Sequence, residues 1–209
     1  MKRVLVLAFL AGALTLTALA SSYVMVSDSD LASRSSAVVI GQVLQAQGVM
    51  QDGIPWTRYT LGVEESLRGR LSGRIEVDVP GGIVGDVGLK LYGMPSFAQG
   101  EKVLLFLSGR DGSSMRLTHQ MLGAFSLYDT PNGEVALRHL EGAVEMQLPR
   151  LGQRGRYHRP RNVEAFSRWL KSESRPAEDY FVDLSRQEAE EIGRQRELRQ
   201  RFTLLECRD

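Results

Sequence analysis

The side chains best suited to chemistry are few and far apart in this chain. Its three histidines, His119, His139 and His158, lie about twenty residues from one another, with no His-x-His or His-Glu-x-x-His spacing. A metal site needs such donors to converge, so none is assigned. His119 and His139 fall in or beside expected strands and can meet only through folding. The single Cys207 excludes an intramolecular disulfide framework and any Cys-rich zinc site. It either pairs between two molecules or stays a free thiol near a frayed end. No Gly-x-Ser-x-Gly elbow is present to expose a nucleophilic serine. Glu64 and Glu65 are adjacent and point to opposite faces of a strand, whereas Glu76 and Asp78 share a face and keep it wet. A hydrolase here would assemble its site from the scattered Glu64, Asp78, Asp86 and His119. No catalytic residue and no cofactor follows from the sequence.

Two segments offer binding chemistry instead. Around residue 85, Gly81, Gly82, Gly85, Asp86 and Gly88 form the densest glycine stretch. No Lys-Ser/Thr and no helix follows it, so it is not a phosphate cradle. It reads as a corner or a flexible loop at a barrel mouth, and is the candidate binding loop. The segment over 149–161 carries Arg150, Arg154, Arg156, Arg159 and Arg161 with no acid, and Tyr157 and His158 are interleaved with them. Such a run suits weak contact with an anionic surface, or serves as a solvated linker.

The elements that must position these groups are mostly strands. The run over 37–43 is β-branched, and Tyr59, Leu61 and Val63 alternate with polar or small residues, as do Ile75, Val77 and Val79. Residues 103–107 are apolar on both faces and belong at a sheet centre. Strands over 122–128 and 134–140 flank a turn at Asn132-Gly133, and Asp111-Gly112 ends the central strand in a similar way. Short strands at this spacing predict an antiparallel β domain over 37–148, a small barrel or a sandwich, after a lead-in over 21–36. Asn162 caps an amphipathic helix over 162–172 with Val163, Phe166, Trp169 and Leu170 on one face. Ser185 and Glu188 form a capping box for a charged helix over 185–202. Its apolar stripe (Ala189, Ile192, Phe202) is thin, so it docks weakly or projects.

The chain has 209 residues, 26 Lys and Arg against 25 Asp and Glu. Lys2 and Arg3 precede an apolar, uncharged run over 4–19 that ends in Ala18-Leu19-Ala20. These features predict a signal peptide over 1–20, cleaved between Ala20 and Ser21, and hence an exported protein of the periplasm or the exterior. Without residues 1–20 the balance is 24 against 25, a net charge of −1. Near neutrality excludes a dedicated nucleic-acid binder. No later apolar run reaches membrane-spanning length.

Several blocks carry a resemblance: Tyr23-Val-Met-Val-Ser-Asp-x-Asp-Leu31, Val38-Val-Ile-Gly-Gln-Val43, Trp56-Thr-x-Tyr-x-Leu-x-Val63, Leu67-Arg-Gly69, and Gly81-Gly82 through Gly93-x-Pro95-x-Phe97-x-x-Gly100-Glu101 to Leu107. Together they resemble a family of exported bacterial β domains that in some members precede a matrixin-type metalloprotease. The strand order is also similar to netrin-like and OB-type barrels. The resemblance implies a prodomain or adaptor role without protease activity, since the zinc-binding helix is missing. Netrin-like inhibitors act through an N-terminal Cys and disulfides, which this chain lacks. The expectation is an exported, non-enzymatic binding or protein-interaction module, with the scattered-site hydrolase and the envelope-associated adaptor as alternatives.

Overall fold

The computed structural model describes residues 21–109, 114–140, 143–146, 155–172 and 177–206, with backbone alone for 200–206. The expected leader with Ala20, the Asp111-Gly112 turn, Arg150, Arg154 and Cys207 lie outside these residues. Twelve strands and three helices are described, in the order β1 (Ser21–Tyr23), α1 (Asp28–Arg34), β2 (Ala37–Gln51), β3 (Ile54–Arg68), β4 (Gly73–Pro80), β5 (Gly82–Val84), β6 (Val87–Leu89), β7 (Lys102–Ser108), β8 (Met115–Leu117), β9 (Ala124–Thr130), β10 (Gly133–Arg138), β11 (Ala143–Glu145), β12 (Arg161–Asn162), α2 (Val163–Lys171) and α3 (Arg186–Glu206).

The fold is mainly β with C-terminal helices, as the alternation predicts. β2, β3 and β4 form an antiparallel meander. β4 continues into β8 by a parallel pairing, β8 returns to β7, and β7 pairs with β2. The hydrogen-bonded pairs therefore run in a ring. From β7 the sheet also extends outward through β9, β10 and β12. This branching follows from residues 103–107, which are at most 1% exposed and present apolar side chains to both faces.

One face of β2 and β7 fills the ring: Val39, Val43, Val103 and Leu105 pack with Tyr59, Leu61, Val77 and Val79. The other face, with Val38, Ile40, Leu104 and Phe106, is covered by α2 and α1. Val163, Phe166, Trp169 and Leu170 of α2 are all buried there, as their spacing requires, and Asn162 Oδ1 accepts from the Ala165 amide at 2.9 Å. The lead-in is not a plain connector. β1 pairs with β11, and Ser27 caps α1, whose Leu31 and Ala32 enter the core. Residues 122–123, expected in a strand, close a 3-10 turn instead, and β9 starts at Ala124.

α3 begins with the expected capping box, the Ser185 amide donating to Glu188 Oε2 at 2.9 Å and the Glu188 amide to Ser185 Oγ at 3.3 Å. Its stripe is as thin as the sequence indicates: Ile192 is buried against Tyr128 and Val135, while Leu198 is 55% exposed. The helix docks nonetheless, and arginine does the rest. The Arg199 guanidinium sits 4.4 Å from the Tyr128 ring centroid, and Arg196 Nε donates to the Tyr128 hydroxyl at 3.2 Å.

Candidate functional site

The glycine stretch folds into a small hairpin rather than a flexible loop. β5 and β6 pair with Gly82 opposite Leu89, Ile83 opposite Gly88 and Val84 opposite Val87, with Gly85 and Asp86 at the tip. The hairpin lies across the far end of β2 and β3. Gly48 on β2 makes this possible, since a Cβ there would fall 1.9 Å from the Ile83 carbonyl oxygen. Gly82 has φ +133° and touches Thr57, whose hydroxyl donates to the Gly81 carbonyl at 2.8 Å. The Gly81 amide donates to the Pro55 carbonyl at 3.0 Å. The glycines are thus chiefly structural, and what they display is apolar. Ile83 is 66% and Val87 51% exposed, and at the same end Met50, Ile54, Leu91 and Tyr92 are exposed as well. Two carboxylates, Asp52 and Asp86, stand at the two turn tips, and Lys90 lies 5.4 Å over the Tyr92 ring.

The scattered acids and His119 do not converge. Glu64 pairs with Lys102 at 3.7 Å. Asp78, expected on a wet face, is 1% exposed. Arg58 grips it through Nε at 2.7 Å and Nη2 at 2.9 Å, and Gln51 donates to it at 2.6 Å. Burial pushes the Asp78 carboxyl up, but these donors outweigh it and hold it below its usual range. Asp86 is at the hairpin tip, and His119 follows β8 near Arg34 and Asp30. No hydrogen bond or ion pair among the described residues joins any two of the four.

A hydroxyl, an imidazole and a carboxylate do meet elsewhere, at residues the sequence reading did not combine. The Ser126 hydroxyl donates to Glu101 Oε1, and His139 Nε2 is within hydrogen-bond reach of the same hydroxyl. The Ala98 amide donates to Glu101 Oε2 at 2.9 Å, and Arg199 Nη1 to Oε1 at 3.2 Å. Burial pushes the Glu101 carboxyl up, yet the hydrogen bonds from His139 and Ser126 and the Ala98 amide hold it below its ordinary value. This is not a nucleophilic triad. There, the carboxylate holds the imidazole nitrogen opposite the serine. Here Glu101 lies 3.6 Å from Nε2, the nitrogen that also faces Ser126, and Ser126 is only 1% exposed. The cluster braces α3 onto β7 and β9.

Three arginines of the segment lie among the described residues, and each has a carboxylate partner. Arg156 pairs with Glu178 at 2.7 Å and Arg159 with Asp183 at 2.9 Å. Arg161 is fully buried and cannot touch an external surface, which corrects its expected role. Its Nε and Nη2 each donate to Asp28 at 2.9 Å, and Arg138 and the Tyr180 hydroxyl donate to the same carboxylate at 2.5 and 3.1 Å. Burial and the Arg161 charge lower Arg138 to about 10.

Among the described residues no group of three or more His, Cys, Asp or Glu side chains is arranged to hold a metal ion, and no helix is long and apolar enough to cross a membrane. No family model, curated protein or solved structure matches the chain.

Proposed function

We propose that this is an exported, non-enzymatic protein-interaction module of the periplasm or the exterior, binding through the end formed by the β2–β3 tip and the β5–β6 hairpin. The observation that carries this reading is the cluster of exposed apolar side chains on the hairpin and the neighbouring turn, Ile83 and Val87 foremost. The ring order supports it. Counting β2, β3, β4, β7 and β8 as barrel strands one to five, the neighbours run 1-2-3-5-4-1, the order of OB-type barrels. Such barrels bind through the loop joining their first two strands, here the tip between Met50 and Ile54. The occupant is a protein with an apolar centre and a basic rim. Asp52 and Asp86 complement basic groups and disfavour an anionic lipid surface.

A photoactivatable residue at position 83 or 87, expressed in the native host, tests the reading. A discrete adduct that Met50→Asp abolishes is expected, with none from position 76 on the outer sheet face. No discrete adduct, or the same adduct from position 76, overturns it.

A further inference from the structure

A second concave site lies near the other end of β2, between the ring, the β9–β10 turn and α2. Its volume is about 660 Å³, within the roughly 300–1,000 Å³ typical of small-ligand sites. Ile40 and Val163 contribute its apolar surface, and every other residue around it is polar, charged or glycine, with no aromatic ring. A sugar or a nucleobase would find nothing to stack on.

Four carboxylates and three cations line it, all engaged in ion pairs, with one lysine shared between two glutamates. Lys102 stands between Glu134 at 3.0 Å and Glu64 at 3.7 Å, Lys171 pairs with Glu65, and Arg168 pairs with Glu164 at 3.3 Å. Glu64 and Glu65 both line the groove, although adjacent strand residues ordinarily face apart. A register shift explains this: Ile40 is opposite Glu65 and Gly41 opposite Val63, so Glu64 is the extra residue of a bulge.

Among the described residues, one buried group in this wall is unpaired. Ser167, in the second turn of α2, is 7% exposed and its hydroxyl has no hydrogen-bond partner. A buried hydroxyl without a partner is costly and calls for an explanation, of which a bound partner is one. Its oxygen is covered in this conformation, so a ligand in the groove would meet it only after rotation about χ1.

We propose that this groove binds short peptides with both ends free. The ligand's carboxylate lodges at Ser167 and the first turn of α2 beside the groove's cations, and its ammonium group meets Glu64 and Glu134. A ligand of one sign would break the wall's ion pairs without replacing them. A zwitterion takes one partner from each, and partly exposed pairs of this kind exchange at little cost. The site is separate from the apolar end, so either reading can fail alone.

Amide shifts of the purified protein, titrated with trialanine, test the proposal. Saturable shifts confined to the groove are expected, with N-acetyl-trialanine and trialanine amide each binding about tenfold more weakly, as does the free peptide to Ser167→Ala or Lys102→Gln. The Ser167→Ala protein should unfold at the same temperature as the parent or higher, since it loses only an unsatisfied hydroxyl. No saturable shift at millimolar trialanine, capped peptides binding equally well, or spermidine or citrate binding as tightly as trialanine overturns the proposal. So does full binding by both variants. Should a variant fail to fold, the capped peptides on the unaltered protein still decide.

Discussion

Asp28 ties together segments that lie far apart along the chain. It is fully buried and receives donors from Arg138, Arg161 and Tyr180, which stand 110, 133 and 152 residues further along the chain. Three aromatic rings, of Phe125, Phe166 and Phe181, lie within 5.7 Å of the Arg161 guanidinium and take up part of its charge. Even so, one carboxylate serves two buried cations. Asp28→Asn therefore strands both arginines and is expected to cost about 3–5 kcal/mol, read as a lower midpoint in denaturant. Arg138→Met in that background is expected to recover part of the loss. None of this was legible in the sequence. Nothing near Asp28 announces a partner more than a hundred residues away, and a five-arginine segment without acids reads as solvated. Glu101, Ser126 and His139 were hidden for the same reason, although His139 was recognised as a strand histidine able to meet others in space.

At the scale of elements, local rules served well where they were local. The caps at Asn162 and Ser185, the Asn132-Gly133 turn and the buried face of α2 all follow from spacing of a few residues. The reading failed where a neighbouring strand decides. The bulge opposite Ile40 turned Glu64 and Glu65 to one groove, and Arg58 across the ladder closed over Asp78. The glycine stretch shows both outcomes: its position was legible, its hairpin was not, because Gly48 more than thirty residues earlier provides the seat. Gly48→Ala is accordingly expected to lift β5–β6 from β2, at a cost of about 1–3 kcal/mol. Hydrogen exchange should show lost protection over 82–89 with protection retained over 102–108.

For the whole molecule, the near-zero net charge conceals carboxylates tuned by folding. Asp78 and Glu101 are held below their usual range, and the hydroxyl and amide of Ser185 hold Glu188 down to about 2. His119 is lowered too, by burial and by Arg34. In each case the folded state binds fewer protons than the unfolded chain, so stability falls as pH falls. The urea midpoint is expected to decline slightly below pH about 6.5, where an unfolded histidine protonates, and steeply below about 4.3, where unfolded glutamates do. Glu101→Gln should flatten the steep part. The fold class itself was legible, because a barrel-sized set of alternating strands and one amphipathic helix leave few ways to pack. A last consequence belongs to β2 and β7, whose alternate residues feed the ring interior and the helix-covered layer in turn. Two hydrophobic cores share the same two backbones, like two rooms with a common wall. Loss of either core bares the apolar back of the strands that carry the other, so the two are expected to unfold together, with coincident denaturant midpoints by far-UV dichroism and by the fluorescence of the tryptophans.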